Sequence, residues 1–211
     1  MRTIEISENP LCLPHNMYPS DTIKLQTGLT VLVGCNGSGK TTLLTMLKQE
    51  LHANNIPYIK FDNLLQGGER ARENAALRDD FSFVIQAAQS SEGENIVLNM
   101  GKLAAKAGKF VKENPDINEL WILMDAVDSG LSIDNICDIK QYLFKPILND
   151  HRLANKAVYI VVSANTFEMA CDAQCLDVQT FEYRKFASYE EYRAFIIESK
   201  KKKTARDKWG E

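Results

Sequence analysis

The stretch that decides the fold of this chain is Gly34-Cys35-Asn36-Gly37-Ser38-Gly39-Lys40-Thr41. It follows the pattern G-x-x-x-x-G-K-[ST] in full. The apolar, β-branched run Leu29–Val33 ahead of it is typical of a buried parallel strand. Behind it, leucines within Thr41–Leu51 recur at helical spacing. A glycine loop between a strand and a helix is the context in which this pattern holds phosphate groups.

The residue types in this loop suit a nucleotide bound together with magnesium. Glycines let backbone N–H groups converge on a polyphosphate, and the start of a helix adds a favourable dipole. Lys40 is expected to reach the terminal phosphates, and the Thr41 hydroxyl is a candidate Mg²⁺ ligand. The candidate nucleotide-binding residues of this segment are Asn36, Gly37, Ser38, Gly39, Lys40, Thr41 and Thr42.

The composition indicates an ordinary globular protein of 211 residues, with 45% hydrophobic and 25% charged residues. The net charge of −3 argues against a surface devoted to nucleic acid, although a local basic patch stays open. No apolar stretch is long enough to cross a membrane, and the first residues lack the apolar core of a signal peptide. Five scattered cysteines suit a reducing compartment, so we expect a cytoplasmic protein without a membrane partner.

Apolar runs that alternate with helical patterns predict the fold class. Short strands are expected at Thr3–Ile6, Thr22–Leu25, Tyr58–Phe61, Leu120–Met124 and Ala157–Val162. An amphipathic helix is expected over Asn95–Lys112. This alternation implies an α/β fold with a mainly parallel sheet flanked by helices. Together with the glycine loop at residues 34–41, it predicts a fold of the P-loop NTPase kind. The first two strands would form a short N-terminal antiparallel part.

The C-terminal segment is expected to form a helix followed by a basic tail. Ser188 and Glu191 have the spacing of a capping box, with Tyr192, Phe195 and Ile196 facing inward. The charged stretch from Lys200 to Lys203 is either a solvated end or a contact to a nucleic-acid backbone. The expected domains are therefore a nucleotide-binding domain over residues 1–187 and a C-terminal helix and tail over residues 188–211.

Two further motifs lie downstream of the glycine loop. The strand at Leu120–Met124 ends in Asp125, where a carboxylate would hold Mg²⁺ opposite the loop. Asp128-Ser129-Gly130-Leu131 follows this strand. Upstream, Ser90-Ser91-Glu92-Gly93-Glu94 leads directly into the amphipathic helix. That segment is either a second anion-binding surface or a plain helix cap.

Together these motifs resemble the ATP-binding-cassette (ABC) ATPase superfamily. The segment Ser90–Glu94 resembles its signature motif, Asp125 and Ser129–Leu131 resemble its Walker B and D-loop, and Ser163–Asn165 falls where its switch is expected. The resemblance covers most of residues 28–165. The short span between Lys40 and Ser91 favours the soluble branch related to SMC and RecF proteins over transporters, with small bacterial or phage-type proteins as the nearest likeness.

The resemblance implies a homodimer that forms head to tail around ATP. Each ATP would lie between the glycine loop of one subunit and Ser91, Gly93 and Glu94 of the other. The metal site would comprise Thr41, Asp125 and Gln66, the last as the Q-loop glutamine. Tyr18 is either an adenine-stacking residue or a core tyrosine. The output of such a switch would go to a partner protein or a nucleic acid.

The sequence departs from the family at two places that concern hydrolysis. Ala126 follows Asp125 where the family has a glutamate, and Ala164 or Asn165 stands where it has the switch histidine. A positioned general base contributes about 10²–10⁴-fold in rate, so its loss predicts tight binding with weak or conditional hydrolysis. The remaining catalytic candidates are Lys40, Asp125 and Asp128. Whether a partner chain supplies the missing glutamate stays open.

Two other functions stay open at this point. A non-hydrolysing ATP-sensing interaction module would retain the loop and need no general base. A nucleotide-kinase-type phosphotransferase shares the loop, and its arginine-rich lid would be drawn from Arg70, Arg72 and Arg78. The kinase would leave the serine-glycine segments at Ser91 and Ser129 without a purpose.

Overall fold

A computed structural model describes residues 1–6, 17–62, 105, 107–113 and 115–208 of this chain. These residues form a six-stranded sheet flanked by helices and a small N-terminal hairpin, which confirms the expected mainly parallel α/β architecture. The strands are β1 (Arg2–Glu5), β2 (Thr22–Leu25), β3 (Gly28–Val33), β4 (Tyr58–Asp62), β5 (Glu119–Asp125), β6 (Ala157–Ser163), β7 (Gln174–Asp177) and β8 (Tyr183–Arg184).

The order of the large sheet is β4-β5-β6-β3-β7-β8. All neighbouring pairs are parallel except β7 and β8, and the hairpin of β1 and β2 is antiparallel. Strand β6 therefore lies between β3 and β5. Because parallel strands end at the same edge, the residues that follow these three strands meet at one edge of the sheet.

The helices are α1 (Lys40–Ala53), α2 (Ile133–Ile139), α3 (Lys145–Leu148), α4 (Phe167–Ala170) and α5 (Tyr189–Lys208). A π-helical turn, Lys140–Phe144, joins α2 to α3, and residues 107–113 are also helical. Among the described residues, none of the helices has both the length and the apolar character needed to cross a membrane.

The core is divided into two layers by the sheet. Trp121 packs with α1 and the hairpin on one side, whereas its neighbour Ile122 packs on the opposite side. The rings of Trp121 and Tyr159, which are register partners on β5 and β6, stack with centroids 4.1 Å apart. Burial of both faces explains why the central strands are continuously apolar rather than alternating.

The C-terminal region shows both confirmed and unforeseen elements. The Ser188 cap is confirmed, because the Glu191 N–H donates to Ser188 Oγ at 3.2 Å. The return bond differs from the expected capping box: the Glu191 carboxylate accepts the N–H of Ala187 at 2.8 Å, one residue before the cap. The basic stretch that begins at Lys200 was expected to be a tail, but it is helical, because α5 continues through it to Lys208. Strands β7 and β8 had no counterpart among the sequence expectations. Most of the helix expected at Asn95–Lys112 lies outside the described residues.

Candidate functional site

The glycine loop at residues 34–41, here called the phosphate loop, connects β3 to α1 at the carboxyl edge of the sheet. Gly34 and Gly39 adopt φ values of +149° and +104°, which L side chains rarely adopt. A methyl group built on Gly34 would lie 2.6 Å from Ser38 Oγ, and one on Gly39 would lie 2.9 Å from the Tyr18 hydroxyl. The loop is thus closed so tightly that both positions require glycine.

Lys40 is held inside the phosphate loop. Its side chain is 8% exposed, and Nζ donates to the carbonyl oxygens of Gly34 at 2.7 Å and Cys35 at 3.2 Å. Burial lowers the pKa of Lys40, while Cys35, Asp128 and Asp125 act in the opposite direction. The first turn of α1 contains no acidic side chain, and Gly39 provides no side-chain cap, so the positive end of the helix dipole remains available.

Two of the three candidate magnesium ligands, Thr41 and Asp125, come together at the mouth of this loop. Thr41 Oγ1, from the start of α1, donates to Asp125 Oδ1, from the end of β5, at 3.1 Å. Ser163, at the end of β6, donates its hydroxyl to the same carboxylate oxygen and accepts the Ala126 N–H at 2.8 Å. A hydroxyl beside a carboxylate is the set of oxygen ligands that Mg²⁺ prefers. Ser163 was expected only as part of the switch segment Ser163–Asn165, and not as a partner of Asp125.

The phosphate loop fits an anionic group. Its glycine cradle leaves no room for added side-chain atoms, and it surrounds a buried ammonium at the start of a helix. Ser38 is 1% exposed, and its Oγ has no hydrogen-bond partner among the described residues. An unpaired buried polar group costs about 1–3 kcal/mol. The loop therefore retains donor capacity that its own residues do not use.

Asp128 links the segments that follow β5 and β6. It is 5% exposed, and its Oδ2 accepts the backbone N–H groups of Asn165 at 2.6 Å and Thr166 at 2.7 Å. Its Oδ1 has no hydrogen-bond partner among the described residues. These contacts favour a role in positioning the segment after β6 over activation of a water molecule.

Ala126 has an unusual backbone conformation at the position where the resemblance expects a glutamate. Its φ is +48°, in the left-handed region that non-glycine residues seldom occupy. Such a conformation costs on the order of 1–3 kcal/mol and persists where surrounding contacts impose it. The Ala126 N–H bond to Ser163 and the Val127 N–H bond to the Ser163 carbonyl, 3.1 Å long, are two such contacts.

Tyr18 lies directly against the phosphate loop. Its hydroxyl donates to the Gly39 carbonyl at 2.7 Å, and its ring stacks on Phe181 with centroids 5.6 Å apart. Burial raises the pKa of the Tyr18 hydroxyl, with opposing contributions from Thr42 and Arg206. The side chain therefore has the contacts of a packed tyrosine while lying beside the loop.

Helix α5 also reaches the phosphate loop, through residues that were not among the expected nucleotide-site residues. Ser199 Oγ accepts the Cys35 N–H at 2.9 Å, and Arg206 Nη1 donates to the Met17 carbonyl at 2.8 Å. A methyl group built on Gly37 would lie 3.1 Å from Lys203 Nζ. Ser199, Lys203 and Arg206 have the spacing i, i+4 and i+7, which places them on one face of a helix and is the sequence signal for their common location.

The remaining expected site residues are not described. Gln66, Ser91, Gly93 and Glu94 lie outside the described residues, as do Arg70, Arg72 and Arg78. Within the described part of the chain, His, Cys, Asp and Glu side chains nowhere gather in threes around a potential metal position. The four cysteines of that part are free thiols. No model of a known protein family matches this chain, and no curated protein matches it.

Proposed function

We propose that this chain is a Mg-ATP-binding P-loop NTPase of the ABC type, an ATPase or ATP switch that pairs head to tail around ATP. The observation that carries the proposal is the hydrogen bond between Thr41 and Asp125 at the mouth of the phosphate loop. It joins a hydroxyl and a carboxylate from two separate elements beside a buried lysine. This combination supports a site for a phosphate chain and its magnesium ion.

Each described residue of the site has a distinct role in this proposal. Lys40 and the amides at the start of α1 neutralise and orient the phosphates. Thr41 and Asp125 hold Mg²⁺, which neutralises charge on the phosphoryl group when it is bound. Ser163 fixes the Asp125 carboxylate through its hydroxyl. The strand order supports this arrangement, because β6 carries Ser163 between the phosphate loop and Asp125.

Hydrolysis is slow in this proposal. The Ala126 methyl group cannot accept a proton or hold an attacking water, and the Asp128 carboxylate already accepts two backbone N–H groups. Loss of a positioned base removes about 10²–10⁴-fold in rate, while charge neutralisation by Lys40 and Mg²⁺ remains. The same two observations favour the second candidate, a non-hydrolysing ATP-sensing interaction module.

The dimer in this proposal uses residues outside the described part of the chain. Ser91, Gly93 and Glu94 would complete the nucleotide site of a second copy, and Gln66 would join the metal site. ATP binding would then close the pair and its loss would open it. The output of this cycle is a partner protein or a nucleic acid, with no membrane domain involved.

The decisive experiment is calorimetric titration of the full chain with Mg-ATP. Lys40→Met removes a charge-assisted contact to phosphate, so we expect binding to weaken at least about 10-fold. Lys109→Met is the matched control, because this exposed lysine lies in the helical segment 107–113 and its own partner is Glu113. Binding of ATP by Lys40→Met as tightly as by the wild-type chain would refute the proposal.

A further inference from the structure

One face of helix α5 is apolar in its first turns and polar in its last turns. In its first turns this face packs into the core through Tyr192, Phe195 and Ile196. In its last turns the same face continues as Ser199, Lys203 and Arg206 (i, i+4 and i+7), which reach the phosphate loop and the segment beside it. Because the apolar part is fixed by core packing, the polar part is directed towards the loop.

Ser199 fastens the helix to the loop. It is 2% exposed, and its hydroxyl both accepts the Cys35 N–H at 2.9 Å and donates to Gln179 Oε1 at 2.8 Å. The Gln179 amide in turn donates to the Ser199 carbonyl at 3.3 Å. The buried bond to Cys35 and the partly buried bonds to Gln179 set the register of α5 against the first residues of the phosphate loop.

Lys203 lies one helical turn beyond this anchor, directly against Gly37. A methyl group on Gly37 would lie 3.1 Å from its Nζ and 3.2 Å from its Cε. One turn further, Arg206 holds the Met17 carbonyl, and the adjacent Tyr18 donates to the Gly39 carbonyl. The helix therefore contacts the loop at its start, at Gly37, and at its end through Met17 and Tyr18.

We propose that α5 forms one wall of the nucleotide site and that Lys203 contacts the phosphates of the nucleotide bound in the same chain. This inference rests on the proposed function, because it requires that the loop hold nucleotide phosphates. Lys40 approaches such phosphates from inside the loop, and Lys203 approaches from the side of Gly37. Since the Lys203 ammonium lies against a glycine of the loop, an anion held by the loop amides is within its reach.

The test compares three variants of the full chain by calorimetric titration with Mg-ATP, Mg-ADP and AMP. Lys203→Met should weaken Mg-ATP binding about 10-fold, as expected for loss of one charge-assisted contact. The loss should be smaller for AMP, which lacks the outer phosphates. Lys203→Arg keeps the charge and should bind Mg-ATP more tightly than Lys203→Met. Lys200→Met makes the same charge change as Lys203→Met at an exposed position of the same helix and should bind like the wild-type chain.

Two results would overturn the inference. In the first, Lys203→Met binds Mg-ATP as tightly as Lys200→Met. In the second it binds more tightly, which would make α5 an obstruction rather than a wall. If Lys203→Met does not fold by circular dichroism, comparison of Lys203→Gln with Lys203→Arg decides the question in the same way. If the wild-type chain binds no nucleotide, the proposed function fails and this inference falls with it, whereas a failure confined to Lys203 leaves the proposed function intact.

Discussion

Single residues determine which chemistry the candidate site can perform. Ala126 and Asp128 lie within a few residues of Asp125, yet neither is arranged to activate water. Ala126 presents a methyl group on a left-handed backbone, and Asp128 is buried with Oδ2 on two backbone N–H groups. The site is therefore equipped for charge neutralisation more than for proton transfer.

Restoring a carboxylate at position 126 tests this view of the chemistry. Ala126→Glu should raise ATP turnover at least about 10-fold, because a positioned base contributes about 10²–10⁴-fold. Ala126→Gln is the control, since it has nearly the same size and backbone strain but no base. Steady-state phosphate release measures both. Equal turnover in the two variants, or wild-type turnover already at the level of Ala126→Glu, would contradict the assigned role of Ala126.

Asp128 should act mainly on stability. Asp128→Ala leaves the N–H groups of Asn165 and Thr166 without their acceptor, so the free energy of unfolding should fall by about 2 kcal/mol or more. Asp128→Asn keeps an oxygen at this position and should lose less. Urea unfolding of the three proteins measures the difference. If Asp128→Ala is as stable as the wild-type chain but has lost ATP turnover, the carboxylate takes part in the chemistry instead.

At the scale of elements, α1 and α5 determine the environment of the phosphate loop. Helix α1 follows the loop directly in sequence and supplies Lys40 and Thr41. Helix α5 returns from the far end of the chain and supplies Ser199, which is buried against Cys35. The loop is therefore held by one local and one distant element.

Removal of the Ser199 hydroxyl should weaken the attachment of α5. Ser199→Ala leaves the buried Cys35 N–H without an acceptor, so the free energy of unfolding should fall by about 1–3 kcal/mol. Thr204→Ala on the same helix is the control, because Thr204 is exposed and its hydroxyl donates to the Lys200 carbonyl of its own helix. Urea unfolding followed by circular dichroism provides the measurement. Equal losses in both variants would show that the bond to the loop adds nothing to stability.

At the scale of the whole molecule, the proposed function requires a second copy of the chain. In this proposal the described residues contribute the loop, α5 and two of the candidate metal ligands, Thr41 and Asp125, to each site. The expected contribution of the second copy, at Ser91, Gly93 and Glu94, lies outside them. The proposal for the assembly therefore comes from the sequence.

Pairing should depend on nucleotide. With saturating Mg-ATP, light scattering after size-exclusion chromatography should show the wild-type chain at twice its monomer mass of 23.8 kDa. Ser91→Arg should bind Mg-ATP but remain a monomer, because a large cation would replace the small hydroxyl at the shared site. The separate control Lys40→Met binds Mg-ATP more weakly, so it should pair less than the wild-type chain at the same Mg-ATP concentration. A wild-type chain that binds ATP and stays monomeric would count against the cassette proposal and favour a kinase-type protein.

The sequence by itself determined those features that depend on neighbouring residues. The phosphate loop, its flanking strand and helix, the apolar strands ending in Asp125 and Ser163, and the helix cap at Ser188 are all encoded by local spacing. Hydrophobic periodicity and helix caps depend on residues close together in sequence, so they can be recognised without knowledge of the fold. Strand β7 could not be predicted in this way, because its four residues are too few to show a hydrophobic periodicity.

Only the tertiary structure decided which distant residues meet at the loop. The position of β6 between β3 and β5 brings Ser163 to Asp125, and the return of α5 brings Ser199 and Lys203 to the loop. Cys35 and Ser199 are far apart in the chain, and the sequence around either residue does not predict their contact. Their contact follows from how the sheet and helices pack to bury both layers of the core, which is a property of the entire chain rather than of any segment.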